Sequence, residues 1–144
     1  MADVTAVSLT FNENGTKAYC TYTQPSTAEA SVYIDCGFVP TEVTSYVITL
    51  QQYKWMAGMT DAHYIDDDLG AGTLTEGTSA GFTPFGDAAA GSEETAAAGT
   101  ILITPGVADA DTELAVVTDL GAGCLLAADV NGGNSDVVYV VLER

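Results

Sequence analysis

Apolar and polar side chains alternate at every second position through most of this chain. In residues 4–11, Val7, Leu9 and Phe11 fall on one face and Ala6, Ser8 and Thr10 on the other. That is the period of a half-buried strand, not of a helix. Asn12-Glu13-Asn14-Gly15 predicts a hairpin turn, with Asn14 and Gly15 supplying the positive φ angles of a tight reversal. Residues 16–23 resume the alternation, with Ala18, Cys20 and Tyr22 facing one way and Lys17, Tyr19 and Thr21 the other. A third strand is expected over 31–37, with Val32, Ile34 and Cys36 on one face. Pro40 then turns the chain into an extended stretch, β-branched and aromatic, over 42–50 and on through 53–56.

The middle of the chain reads differently. Residues 69–100 are rich in Gly, Ala, Thr and Ser, and Gly70, Gly72, Gly77, Gly81 and Gly86 break any helix. An extended loop system with one or two short strands is expected there, anchored by Leu74, Phe82 and Phe85, with a helical turn at 93–98. Strands return over 100–104, 113–118, 124–128 and 136–142, and Asn131-Gly132-Gly133-Asn134 marks the turn between the last two. Val137-Val138-Tyr139-Val140-Val141 is apolar on both faces, which predicts a strand covered on both sides. The sum is an all-β fold, a compact sandwich or barrel of short, mostly antiparallel strands with long Gly/Ala/Thr-rich loops. The 144 residues fit one domain, 1–144, in which 1–11 serves as a contact arm or edge strand.

Charge narrows the function. Three Lys+Arg face 20 Asp+Glu, a net charge of −17, although charged residues make up only 16% of the chain and hydrophobic ones 47%. The chain is too apolar for a disordered acidic tail. Three cations cannot neutralise a row of phosphates, so no nucleic-acid partner is expected, and anionic membrane surfaces are disfavoured. No apolar run approaches the roughly 20 residues that span a bilayer, so no membrane partner is expected. Met1-Ala2-Asp3-Val4 lacks the basic flank of a signal peptide. A soluble, unprocessed protein is the expectation.

Candidate chemistry is sparse. Asp61, His63, Asp66, Asp67 and Asp68 form the densest polar cluster, but consecutive Asp residues on an extended segment point to opposite faces. The cluster is read as a solvated acidic loop. Residues 109–113 and 129–131 open like calcium loops. Leu114, Leu120 and Val140 stand where such loops need Gly or a closing Glu. There is no phosphate-cradling loop, and one imidazole to serve any nucleophile. No catalytic residue, metal or cofactor is expected. Trp55 and Tyr53, with calcium, define a carbohydrate-binding module as the alternative from another class. Cys20, Cys36 and Cys124 are read as small buried hydrophobes, with one disulfide plus a spare thiol left open.

Four short motifs occur in order along the chain. Gly37-Phe38-Val39-Pro40-Thr41-Glu42-Val43 is a Gly-Phe-x-Pro-x-x-Val corner entering a strand, and Trp55-Met56-Ala57-Gly58-Met59 follows. Then come Thr78-Ser79-Ala80-Gly81-Phe82-Thr83-Pro84 and, at the end, Gly123-Cys124-Leu125-Leu126-Ala127-Ala128-Asp129-Val130-Asn131 with residues 136–142. Together they resemble a group of small virion proteins of tailed bacteriophages. The chain departs from that group in its Asp66-Asp67-Asp68 run and in the Ala/Gly/Thr-rich insertion between Gly86 and Thr100.

The resemblance implies a structural component, and several such proteins look like capsid decoration (cement) proteins that clip onto the assembled head, often as trimers. The expectation is a noncatalytic protein on the outer surface of the phage capsid. Its partners would be the major capsid protein and further copies of itself, a homotrimer being favoured. A tail or head-fibre component is the rival of the same class. A charge of −17 favours the outer surface, because packaged DNA would repel it. Contacts are expected from residues 2–11 and 81–98, through Val4, Val7, Leu9, Phe11, Phe82, Pro84 and Phe85. Deleting residues 1–10 is expected to abolish shell binding.

Overall fold

The alternation of apolar residues folds into two layers. The structure, a computed structural model, describes residues 4–26, 31–47, 51–86, 100–105, 113–114 and 122–144. Its strands are β1 (Thr5–Phe11), β2 (Lys17–Thr23), β3 (Val32–Ile34), β4 (Glu42–Val47), β5 (Gln51–Met56) and β6 (Tyr64–Asp68). They continue with β7 (Thr73–Gly77), β8 (Phe82–Phe85), β9 (Thr100–Ile103), β10 (Glu113–Leu114), β11 (Gly123–Leu126) and β12 (Val137–Glu143). One sheet runs β1-β2-β12-β4-β5-β6-β7 and the other β10-β9-β3-β11-β8. Every pairing is antiparallel except β3 with β9. The two sheets pack as a compact sandwich, and the fold is all-β.

The core lies between the sheets. Val7, Leu9, Ala18, Cys20, Tyr22, Val43, Trp55, Val138, Val140 and Leu142 enter it from the seven-stranded sheet. Val32, Ile34, Phe82, Ile101, Ile103, Cys124 and Leu126 enter from the five-stranded one. Each fully buried Val, Leu, Ile or Phe contributes about 1.5–3 kcal/mol of transfer free energy. Gly123 lets β11 approach β3: a Cβ built there would lie 2.0 Å from the Ile34 carbonyl oxygen.

Polar groups fix the order of strands. The buried Tyr22 hydroxyl donates to Asn131 Oδ1. Gln24 Nε2 donates to the Asn131 carbonyl at 3.0 Å, and Ser45 Oγ to the Val130 carbonyl at 2.8 Å. This network straps the connection between β11 and β12 across the inner face of β2 and β4, and β12 then inserts between those two strands. Asn12 organises the first hairpin. Its Oδ1 accepts the Thr16 and Lys17 amides at 2.9 and 3.1 Å, and its carbonyl accepts the Gly15 amide at 3.1 Å. Gly15 has φ +65, whereas Asn14 is not among the residues with positive φ. The reversal is therefore longer than a two-residue turn, and Asn12 holds it.

Four expectations change. The stretch expected to run on from 42 through 56 is a hairpin, with Val47 opposite Gln51. The acidic loop is strand β6, paired with β5 and β7. A pleated strand accommodates the Asp run because Asp66 and Asp68 point to one face and Asp67 to the other. The described part of the expected loop system is mostly strand: the two short strands allowed for there are β7 and β8, and β8 carries Phe82 and Phe85. The strand expected to be covered on both sides, β12, buries Val138, Val140 and Leu142 but leaves Tyr139 43% exposed. The helical turn at 93–98 and most of the strand at 113–118 lie outside the described residues.

Candidate functional site

The open side of β12 belongs to a larger surface. Register places side chains on the outer face of the seven-stranded sheet in rows. One row reads Thr10, Tyr19, Val141, Thr44, Lys54, Ile65 and Glu76 from β1 to β7. The next reads Ser8, Thr21, Tyr139, Tyr46, Gln52, Asp67 and Leu74. Tyr19, Tyr46 and Tyr139 are 41%, 39% and 43% exposed. Tyr139 and Tyr46 are direct cross-strand partners, which puts their Cβ atoms roughly 4.5–5.5 Å apart, and Tyr19 lies on the diagonal roughly 7–8 Å from Tyr139.

The middle of this face, where β2, β12 and β4 run side by side, carries Tyr19, Thr21, Tyr139, Val141, Thr44 and Tyr46, none of them charged. Two of the chain's three cations, Lys17 and Lys54, point to the same face and offset half of its carboxylates, Glu42, Glu143, Asp67 and Glu76. A chain of net charge −17 thus keeps its central tyrosines nearly free of that charge. Tyrosine gives a large, rigid, amphipathic contact area at small entropic cost, and interface cores are depleted of charge and enriched in aromatics.

One rim is an ion cluster. Lys17 Nζ lies 2.8 Å from Glu143 Oε1. The lysine, followed by a hydrogen bond with Glu42, holds the Glu143 carboxyl below the usual carboxylate range. Its neighbour Glu42 is pushed up, first by that hydrogen bond and then by the Glu143 charge. Beside it a depression of about 230 Å³ is lined by Glu42, Thr44, Tyr46, Lys54, Trp55 and Met56. The five-stranded sheet has no comparable surface among the described residues. Tyr33 and Phe85 are 0% and 3% exposed, with ring centroids 5.0 Å apart.

The positions expected to make contacts fall elsewhere. Val4, Val7, Leu9, Phe82, Pro84 and Phe85 are buried. Val4, Val7, Leu9 and Phe82 pack into the core between the sheets, and Phe85 packs against Tyr33. Only Phe11, at the end of β1, is substantially exposed, at 42%. Deleting residues 1–10 would therefore remove a core-forming strand. Residues 87–98, the rest of the second expected contact region, lie outside the described residues. Trp55 and Tyr53 also face the core, Trp55 Nε1 donating to the Thr60 carbonyl at 3.3 Å and Tyr53 Oη to Gln51 Oε1 at 2.8 Å. A stacking platform built on those two rings is excluded by their burial.

The acidic cluster is dispersed. His63 Nδ1 lies 3.1 Å from Glu76 Oε1, and Tyr64 Oη donates to Asp129 Oδ2 at 3.0 Å. Asp66 is pushed up, first by burial and then by Asp68 and Asp67, and its buried Oδ1 has no hydrogen-bond partner. Among the described residues, no group of three or more His, Cys, Asp or Glu is placed to hold a metal ion. The three cysteines are free and buried. Burial, followed by the nearby Cys36, pushes the Cys20 thiol up to about 12.

Sequence reasoning assigned Tyr19 to the polar face of β2 and passed over Tyr46 and Tyr139. The signal available was the two-faced apolarity of residues 137–141, which marks an outer face that the fold itself leaves open. No helix among the described residues is long and apolar enough to cross a membrane. No known protein family, curated protein or solved structure matches the chain.

Proposed function

We propose that this chain is a noncatalytic phage virion protein, a capsid decoration (cement) protein that sits on the outside of the head and reinforces it. The observation that carries the reading is the uncharged tyrosine centre of the seven-stranded sheet, flanked by β1 on one side and β5 on the other and framed by carboxylates. Such a face suits adhesion to a broad protein surface, here that of the major capsid protein. The resemblance to small phage virion proteins supports the choice of partner and the preference for a homotrimer. The acidic remainder of the surface then faces solvent, where it keeps particles apart and discourages nonspecific adhesion.

The test uses empty heads of the encoding phage, sedimented with the purified chain. Wild-type protein should pellet with the heads. Tyr46→Thr/Tyr139→Thr keeps β-forming residues on the strands and should bind about 30-fold or more weakly, as for loss of a hot spot. Equal pelleting of wild type and variant, with both folded by circular dichroism, contradicts the docking face.

A second reading has one observation in its favour. Three exposed tyrosines on a sheet also suit stacking against sugar rings, though they are not the two rings expected from the sequence. Retention on a glycan array that is lost in the Tyr46/Tyr139 variant would favour it over decoration.

A further inference from the structure

The sheets expose four edge strands, and they are not alike. β1 is interrupted by a bulge between Thr5 and Ser8, with Ala6 at φ +53. β8 contains Pro84, and the described part of β10 is two residues long. Bulges, prolines and short length are the devices by which proteins keep sheet edges from pairing with other chains. β7 has none of them. Its register with β6 runs unbroken from Tyr64 opposite Gly77 to Asp68 opposite Thr73, and Thr73 through Glu76 are exposed. Leu74, 70% exposed, is the most exposed large apolar side chain described. Among the described residues, one side of β7 is thus a row of backbone donors and acceptors facing no other strand.

Charge selects what can pair there. Asp67 and Glu76 stand on one face of the β6–β7 hairpin, and Asp66 and Asp68 on the other. A second copy of this chain is a poor occupant: its three cations are Lys17, joined to Glu143, Lys54 on β5, and Arg144, 5.9 Å from the Phe38 ring centre. An acidic edge repels acidic strands, which is itself a protection against self-association. The same field attracts a basic one. An added strand would lie roughly 10 Å from β6, two strand spacings away, so a Lys or Arg stem laid across β7 brings its charge toward the Asp run.

We propose that the free edge of β7 accepts, by strand addition, an extended basic segment of another protein. Main-chain hydrogen bonds to β7 hold the segment, and carboxylates on both faces of the hairpin select its charge. The site is separate from the tyrosine centre on β2, β12 and β4, and does not depend on what that centre binds.

The probe is a capped decapeptide of alternating Lys and Val, tested on the intact chain at low salt. Two controls accompany it: one with Glu for Lys, the other with Pro replacing alternate Val residues at unchanged charge. The Lys–Val peptide should bind and slow amide exchange at residues 73–77 but not along β1. The Glu peptide should not bind, and the Pro peptide should bind about tenfold or more weakly, because it cannot form the ladder. The double substitution Asp67→Asn/Glu76→Gln, at a half-buried and an exposed position, should weaken binding of the Lys–Val peptide while leaving circular dichroism unchanged. Absence of binding, equal binding of the Pro peptide, or protection that appears on β1 instead of β7 overturns the proposal.

Discussion

Tyr22 and Asn131 show how far single residues could be read in advance. Alternation alone placed Tyr22 on the inner face of its strand, and it is 0% exposed. Its hydroxyl partner, Asn131, lies 109 residues away, and no local pattern announces that pairing. Tyr22→Phe leaves the buried Asn131 Oδ1 without this donor and should cost about 1–3 kcal/mol in chemical denaturation. Asp66 was assigned to a solvated loop, yet its carboxyl is partly desolvated and stands beside Asp67 and Asp68. Its pKa is higher in the folded chain than in the unfolded one. This group therefore favours folding below the unfolded value, and that contribution is lost as pH rises through the folded value. Asp66→Asn should accordingly raise the melting temperature at pH 7 and change it little at pH 3. An unchanged melting temperature at pH 7 would show that burial of this carboxyl carries no penalty.

Elements were legible where local chemistry and tertiary pairing agree. The first hairpin is announced by strong alternation on both sides of Asn12-Glu13-Asn14-Gly15, and β1 and β2 follow it closely. The reversal between β4 and β5 was not legible, because residues 48–50 contain no Gly, Pro, Asn or Asp. β6 and β7 were hidden for the opposite reason: Asp, Gly and Thr suggest loops, and only pairing to β5 makes strands of them. The Tyr64 ring lies over Gly77, opposite it across the ladder, where a Cβ would meet the ring at 2.0 Å. The expected contact residues went astray at this scale too. Val7, Leu9 and Phe82 lie on edge strands, but an edge strand still turns side chains into the core, and Phe85 is buried against Tyr33 on the other face of its sheet. Gly123→Ala tests the close approach of β11 to β3. A methyl group against the Ile34 carbonyl should force the strands apart and cost about 1–3 kcal/mol, read as a lower denaturation midpoint at unchanged m.

At the scale of the whole molecule, patterning foretold an all-β sandwich or barrel, but not which part of its surface would be free of charge. That depends on register. Thr21 opposite Tyr139, and Tyr139 opposite Tyr46, set an uncharged row in the middle of a sheet belonging to a chain of net charge −17. The account rests on that face being the one turned toward a larger assembly. Image reconstruction of heads decorated with the purified chain examines this directly, since a sandwich of two unequal sheets has a recognisable orientation. The account predicts density on the outer surface of the head, with the seven-stranded sheet against the shell and the five-stranded sheet toward solvent. Heads that bind the chain through the five-stranded sheet, or that remain bare at saturating protein, would contradict it.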